Sequence, residues 1–255
     1  MNVRIDSLAD GVVVVTMARP EKRNALSLEM MRELIAAFRD AAALKTTRAF
    51  VLRGEGPAFS AGHDLREMQC AEAAGHAEIF DVCVELMETI QAIPQPVVAE
   101  VATIATAAGC QLVATCDLAI AADEARFATP GVRIGLFCTT PMVALTRAIG
   151  RKRAMEMLLT GDFIDAPTAE RWGLVNHVVP AGRLHDEALA LAGRIAAASG
   201  ETVALGKKAY YRQIDLPQSD AYAYAKDVMA RNAGMEDAAE GIAAFVEKRP
   251  PKWHT

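Results

Sequence analysis

Short apolar runs divide the first half of the chain. They cover residues 11–17 (GVVVVTM), 49–53 (AFVLR), 97–101 (VVAEV) and 117–122 (DLAIAA), each between polar or turn-forming residues. Apolar runs this short, rich in β-branched side chains, predict buried strands. The segment at 174–179 (LVNHVV) has a similar character and predicts one more strand.

Between these runs the apolar residues recur at helical spacing. Ser27 is a suitable N-cap, and the apolar positions after it are Leu28, Met31, Leu34, Ile35, Phe38 and Ala42. Residues 66–92 predict a second helical stretch, which ends at the prolines of the sequence PQP. Strands that alternate with helices in this way favour a wound α/β core.

From residue 139 onward helices dominate. The predicted helices cover residues 140–149, 151–159, 166–172, 183–198, 202–213, 219–230 and 235–248. The last three are amphipathic, and so short a chain end cannot cover all of their apolar faces. We therefore expect these helices to pack on a neighbouring subunit.

The composition narrows the class of protein. A chain of 255 residues that is 52% hydrophobic can bury a sizeable core, and its net charge of -5 provides no basic field for nucleic acid. The five cysteines form no CxxC pair, which indicates a reducing compartment rather than a disulfide framework. The N-terminus lacks the basic-then-apolar order of a signal peptide, and no apolar run approaches membrane-spanning length. We expect a cytoplasmic protein that binds neither nucleic acid nor membrane.

Two segments of small residues carry the candidate chemistry. Residues 59–65 (FSAGHDL) and 105–111 (ATAAGCQ) each precede a predicted helix, where free backbone N–H groups bind anions. The first could equally be an ordinary left-handed turn with Asp64 as a cap, and the second could be tight helix–strand packing. If both converged, they could stabilise the oxyanion of an enolate or a tetrahedral thioester intermediate.

The sequence resembles the enoyl-CoA hydratase/isomerase (crotonase) superfamily over nearly its whole length. The resemblance rests on the blocks RPEKRNALS, AFSAGHDL, PQPVVAEV, AAGCQLVATCDLAIAADEARFATPGVRIGL and MLLTGDFIDAPTAERWGLVNHVV, in that order. It implies an α/β fold with a crotonase-like ββα superhelical core over residues 1–198. It also implies a C-terminal α-helical trimerisation region over residues 199–255, so that we expect a homotrimer or a dimer of trimers.

The resemblance also implies which residues form the site. The backbone N–H groups of His63 and Ala108 would form an oxyanion hole. The family's CoA-binding positions match Ala25, Ala61, Asp64, Leu65 and Arg66, together with Phe245 and Lys248 near the C-terminus, which in some members reach CoA from a neighbouring subunit.

Two catalytic positions depart from the family pattern. Hydratases of this family use two glutamates, one to activate water and one to handle the α-carbon proton, and these positions carry Gln111 and Gly131 here. Glutamine cannot accept the proton of water, and glycine contributes no side chain. The enoyl-CoA hydratase domain-containing proteins of animal mitochondria resemble this chain in SGHDL, ATAAGCQLVA, FATPGV and GLFC, and share the missing pair.

Three other side chains are candidates to replace the glutamates. The imidazole of His63 could titrate near neutral pH, although it could instead pack over CoA while only its N–H acts. Cys138 could be a nucleophile or weak acid, although free cysteines are more often small buried apolar residues. Glu100, unexpected in an apolar strand, could be a buried base or could pair with a nearby arginine at a subunit contact.

The sequence therefore predicts an acyl-CoA-binding member of this family that stabilises a thioester enolate and hydrates poorly. Two alternatives stay open: a decarboxylase or other thioester-handling lyase that uses His63, and a non-catalytic acyl-CoA-binding or scaffold protein. The scattered histidines have no ligand spacing, so we expect no metal, and we expect no cofactor apart from the CoA thioester itself.

Overall fold

A computed structural model describes residues 2–254, in which the strands form two sheets and the helices surround them. The strands are β1 (Val3–Ser7), β2 (Val12–Met17), β3 (Ala49–Gly54), β4 (Ala58–Ser60), β5 (Val97–Val101), β6 (Ile104–Thr106), β7 (Leu118–Ala122), β8 (Arg126–Ala128), β9 (Ile164–Asp165) and β10 (His177–Val179). The α-helices are α1 (Leu28–Ala42), α2 (Leu65–Cys70), α3 (Ala73–Ala92), α4 (Ala108–Thr115), α5 (Thr139–Ile149), α6 (Arg151–Thr160), α7 (Ala166–Trp172), α8 (Leu184–Ala196), α9 (Gly200–Gln213), α10 (Gln218–Ala233) and α11 (Glu236–Val246).

The larger sheet has six strands in the order β1-β2-β3-β5-β7-β10, and all neighbours after the antiparallel pair β1–β2 are parallel. Side chains on one face join the main core with α1 and α3, and those on the other pack against α8. Because both faces are covered, the central strands are continuous apolar runs, as the sequence predicts.

The smaller sheet, in the order β4-β6-β8-β9, positions the candidate site. Strands β4, β6 and β8 are parallel, and β9 is antiparallel to β8. The segments that follow the three parallel strands therefore emerge at one edge of this sheet. These segments begin at Ala61, Ala107 and Thr129.

Several sequence-based boundaries were wrong. The sequence does not predict β1, β4, β6, β8 or β9, because four of them have two or three residues and β1 buries only Val3. The helical stretch 66–92 is two helices, separated at Ala71 and Glu72, and the strand at 174–179 is confined to His177–Val179. Ser27 caps α1 as predicted, since its hydroxyl accepts from the Met30 N–H at 3.2 Å.

The C-terminal helices are attached to the core through a buried lysine on α9. Lys207 Nζ donates to the carbonyl oxygens of Ile90 (2.7 Å) and Gln95 (3.0 Å) and to Asp117 Oδ2 (2.7 Å). The predicted boundary between residues 198 and 199 falls in the turn between α8 and α9, and the division into two regions stays a prediction. Among residues 2–254, no single helix is long and apolar enough to cross a membrane.

Candidate active site

Residues 61–64 present one backbone N–H toward the common edge. The carbonyl of Gly62 accepts from the Leu26 N–H (2.8 Å), and the Asp64 N–H donates to the Leu26 carbonyl (3.4 Å). Since successive residues of an extended segment alternate, the His63 N–H points to the opposite side. The Gly62 N–H is already bonded to Ser60 Oγ at 3.2 Å, so the N–H available here is that of His63.

The second N–H belongs to Ala108, the first residue of α4, where no intrahelical acceptor exists. Ala107 precedes it with φ 50° and ψ -119°, a conformation that favours glycine, and its own N–H donates to the Ala128 carbonyl (2.9 Å). Such strain costs about 1–3 kcal/mol and is typical of functional sites. Across residues 2–254, neither Ala108 nor His63 has an acceptor for its N–H.

Glycines bring the two segments into contact. A Cβ atom built on Gly62, which has φ +89°, would lie 2.8 Å from Ala107 Cβ and 3.1 Å from the Ala108 nitrogen. A Cβ atom on Gly109 would lie 2.3 Å from the Ser60 carbonyl oxygen. Because only glycine permits this approach, the unpaired N–H groups lie on adjoining backbones, as a two-donor oxyanion hole requires.

The His63 side chain is uncharged and lies at this edge of the smaller sheet. Its ring packs edge-to-face with Phe80, with centroids 5.4 Å apart, and its Nε2 is sealed from solvent without a hydrogen-bond partner among the described residues. Burial lowers the pKa of His63 to about 4. The imidazole is therefore neutral at pH 7, and its pKa lies below the near-neutral range that the sequence suggested.

Gln111 lies one helical turn after Ala108, on the same side of α4. It is buried, and the Cys83 thiol on α3 donates to its Oε1 at 3.9 Å. Burial raises the pKa of Cys83 to about 12, so this thiol stays protonated and remains a donor. The position at which the family resemblance predicts the first glutamate thus holds an amide, which can accept or donate a hydrogen bond but cannot take a proton from water.

The second position, Gly131, has no room for a side chain. A Cβ atom there would lie 2.6 Å from the Leu136 carbonyl oxygen and 2.8 Å from Cys138 Sγ. Cys138 therefore fills the space beside Gly131, and burial raises the pKa of its thiol. A raised pKa favours the protonated thiol, which makes Cys138 a weak acid rather than a thiolate nucleophile.

Glu100 does not join these groups. It alternates along β5 with Ala99 and Val101 of the main core and lies on the sheet face that α8 covers. Its carboxylate contacts Arg53 Nε (3.5 Å) and His185 Nδ1 (2.8 Å). Glu100 therefore lies apart from the candidate site and pairs with Arg53 of the same chain. The subunit contact that the sequence offered for such a pair stays a prediction.

The predicted CoA-binding residues form two groups. Five of them lie in or next to the segment 61–64: Ala25, Ala61, Asp64, Leu65 and Arg66. The Ala61 N–H donates to the Arg23 carbonyl (3.0 Å), and Asp64 Oδ1 caps α2 by accepting from the Arg66 N–H (3.0 Å). Phe245 and Lys248 are exposed at the end of α11, which packs on α9 and α10 and is not brought to the site within one chain.

Sequence reasoning missed three contributors to this edge. Ala107 gave no signal, because alanine seldom adopts positive φ. Cys83 is buried in the core and Phe80 is half-buried against His63, and in the sequence of α3 neither can be distinguished from an ordinary packing residue.

Comparisons with known proteins give one consistent result over nearly the whole chain. The family model described as enoyl-CoA hydratase/isomerase matches residues 7–255. Rat enoyl-CoA hydratase domain-containing protein 3, mitochondrial, is 46% identical over 245 residues, which are 96% of this chain and 82% of the relative. A solved enoyl-CoA hydratase of Mycobacterium smegmatis is 48% identical with a TM-score of 0.97, covering 100% of both chains. The crystal structure of human enoyl-CoA hydratase domain-containing protein 3 is 43% identical with a TM-score of 0.96, covering 99% of this chain and 100% of that chain.

Proposed function

Because this chain belongs to the enoyl-CoA hydratase/isomerase family, we propose that it binds acyl-CoA thioesters and polarises the thioester carbonyl with the N–H groups of His63 and Ala108. The observation that carries the proposal is the contact of two backbones that each leave one N–H unpaired. Two such donors stabilise negative charge on the carbonyl oxygen, and hence an enolate formed at the α-carbon.

Hydration is expected to be weak in this proposal. Water addition to an enoyl-CoA needs a base for the water proton and an acid for the α-carbon. Each such group contributes about 10²- to 10⁴-fold, and the positions of the family's two glutamates hold an amide and a glycine without side-chain space. The site keeps polarisation and positioning, but it lacks strong proton transfer.

Two parallel measurements test the proposal. Calorimetric titration with butyryl-CoA should show saturable binding, and free CoA should bind more weakly because it lacks the carbonyl. The rate of water addition to crotonyl-CoA should lie far below ordinary enzymic turnover. Failure to bind any acyl-CoA would refute the site assignment, and rapid hydration would refute the roles given to Gln111 and Gly131.

A second candidate is decarboxylation of a carboxyacyl-CoA, and the neutral imidazole of His63 favours it. Loss of CO2 produces an enolate directly, so the reaction needs an oxyanion hole but no base. The Nδ1 of His63 is not sealed as Nε2 is, so a neutral ring with its proton on Nδ1 can donate a hydrogen bond to the substrate. Release of CO2 from methylmalonyl-CoA that stops in His63→Ala would support this candidate over a purely binding protein.

The third candidate is a non-catalytic acyl-CoA-binding or scaffold protein, favoured by the absence of a strong acid or base in the described edge. It predicts tight thioester binding with no turnover over a panel of acyl groups. Any catalysed loss of substrate above the uncatalysed rate would exclude it.

We also propose that the chain assembles as a homotrimer or a dimer of trimers. The end of α11 exposes large apolar side chains, with Ile242 63%, Phe245 86% and Val246 73% exposed. A neighbouring subunit would cover them and could bring Phe245 and Lys248 to its partner's CoA. Light scattering should give at least three times the chain mass, and a stable monomer would contradict this assembly. A cytoplasmic location stays a prediction, although the rat relative is named as mitochondrial.

A further inference from the structure

The segment 23–26 runs beside the segment 61–64 and is joined to it by backbone hydrogen bonds. The Leu26 N–H donates to the Gly62 carbonyl (2.8 Å), and Leu26 and His63 form a parallel β-bridge. In a planar trans peptide the C=O and N–H point in opposite directions, so the bond on the Gly62 carbonyl sets the direction of the His63 N–H. It also polarises this peptide unit, which makes the His63 N–H a stronger donor.

The buried side chain of Asn24 holds the segment 23–26 in place. Its Nδ2 donates to the carbonyl oxygens of Glu55 (2.9 Å) and Ala58 (2.8 Å), and its Oδ1 accepts from the Arg19 N–H (2.9 Å). Its backbone has φ 50°, a conformation that asparagine adopts more readily than most residues. The amide therefore ties this segment to both ends of the connection between β3 and β4.

Ser60 makes a second link between the two segments. Its fully buried hydroxyl donates to the Asn24 carbonyl (2.8 Å) and accepts from the Gly62 N–H (3.2 Å). Gly62, with φ +89°, has no side chain that could limit its rotation. Its orientation therefore depends on the hydrogen bonds at its two backbone groups, one to Ser60 and one to Leu26.

We propose that Asn24 and Ser60 are positioning residues, which orient the peptide unit that carries the His63 N–H. This inference rests on the acyl-CoA site proposed above, and it gives the two residues a role in polarisation without contact with the thioester. A hydrogen bond weakens steeply as its N–H···O angle falls below about 120°, so a rotation of this peptide unit would reduce polarisation. The Ala108 N–H belongs to α4 and would remain as the second donor.

The carbonyl stretching band of bound crotonyl-CoA, labelled with 13C at the thioester carbonyl, reports polarisation separately from protein stability. Ser60→Ala removes the hydroxyl link and keeps the backbone. The downward band shift on binding should fall to roughly half of the shift in the parent, because one of two donors is misdirected. The affinity for crotonyl-CoA should fall by about fivefold. A full shift in this variant, or complete loss of binding by the folded variant, would overturn the inference.

Ser199→Ala is the matched control for this substitution. Ser199 is also buried, and its hydroxyl accepts from the Thr202 N–H at 3.2 Å, but it caps α9. The control should lose stability because a helix cap is removed, and it should keep the full band shift. A band shift reduced equally in both serine variants would show that the change follows lost stability rather than the link at Ser60.

Asn24→Gly tests the other positioning residue, and it provides the same measurement if Ser60→Ala does not fold. Glycine permits the positive φ but removes all three side-chain hydrogen bonds, so the band shift should again fall to roughly half. An unchanged shift in Asn24→Gly would overturn the role of Asn24. A parent band that does not move on binding would refute the oxyanion hole itself, whereas equal shifts in parent and variants would refute only the positioning roles.

Discussion

The two halves of the candidate site differ in what supplies them, because one is formed by backbone N–H groups and the other by side chains. On one half, the backbone N–H groups of His63 and Ala108 are brought together by contacts that leave no space for a Cβ atom at Gly62 or Gly109. On the other half, proton transfer would depend on side chains at Gln111 and Gly131, and neither supplies an acid or base. In the proposed function, polarisation therefore depends on the fold itself, whereas proton transfer depends on side chains that can change while the fold is kept.

The largest expected effect comes from separating the two backbones. Gly109→Ala places a Cβ atom 2.3 Å from the Ser60 carbonyl oxygen, which neither backbone can avoid without moving. We expect a loss of about 3 kcal/mol in the free energy of unfolding, as for an overpacked core, and loss of thioester binding. Urea denaturation and titration with butyryl-CoA measure the two effects.

Gly206→Ala is the matched control for this substitution. Gly206 lies within α9, and nothing lies within 4 Å of a Cβ atom built there. Alanine should raise stability by about 0.5–1 kcal/mol, because it lowers the entropic cost of forming the helix. If Gly109→Ala were as well tolerated as Gly206→Ala, the close approach of the two segments would be wrong.

The second prediction concerns the half that lacks acid/base groups. Gln111→Glu restores one carboxylate and should raise crotonyl-CoA hydration by about 100-fold over the parent. Gly131→Glu should give no increase, because Leu136 and Cys138 occupy the space for its side chain. Initial rates of crotonyl-CoA hydration by the two variants test this difference. Equal increases in rate from both substitutions would contradict the packing around Gly131.

Much of the fold and of the candidate site could be predicted from the sequence, but not all of it. The central strands and the N-cap at Ser27 follow from hydrophobic pattern and local chemistry, and the small-residue runs pointed to both N–H groups. The short strands β4, β6 and β8 could not be predicted, because three residues carry no periodicity. The Cys83–Gln111 contact joins different helices, and only the tertiary fold brings them together.

The third prediction concerns the stability of the polarising half at low pH. Burial lowers the pKa of His63 to about 4, below the ordinary value of about 6.5, so between these values the unfolded chain binds a proton that the folded chain does not. The stabilising contribution is present above pH 6.5 and is lost as the pH falls toward 4. Relative to pH 7.5, His63 should cost about 1 kcal/mol of stability at pH 5.5.

Urea denaturation of the parent and of His63→Leu at pH 7.5 and pH 5.5 measures this contribution of His63 to the free energy of unfolding. The variant should lose about 1 kcal/mol less than the parent over this interval. His177→Leu is the control, because that residue is exposed on β10 and its ring stays in water. Identical pH dependence of the parent and His63→Leu would show that the imidazole is not buried in its neutral form.

Isotope-edited infrared spectroscopy of bound crotonyl-CoA, labelled with 13C at the thioester carbonyl, tests polarisation most directly. Two backbone donors on the oxygen weaken the carbonyl bond, so the stretching band should move to lower frequency on binding. The same sample should keep its double bond while the spectrum is recorded, because Gln111 and Gly131 supply no acid or base. A carbonyl band unchanged from that of free crotonyl-CoA would contradict the assignment of the His63 and Ala108 N–H groups as an oxyanion hole.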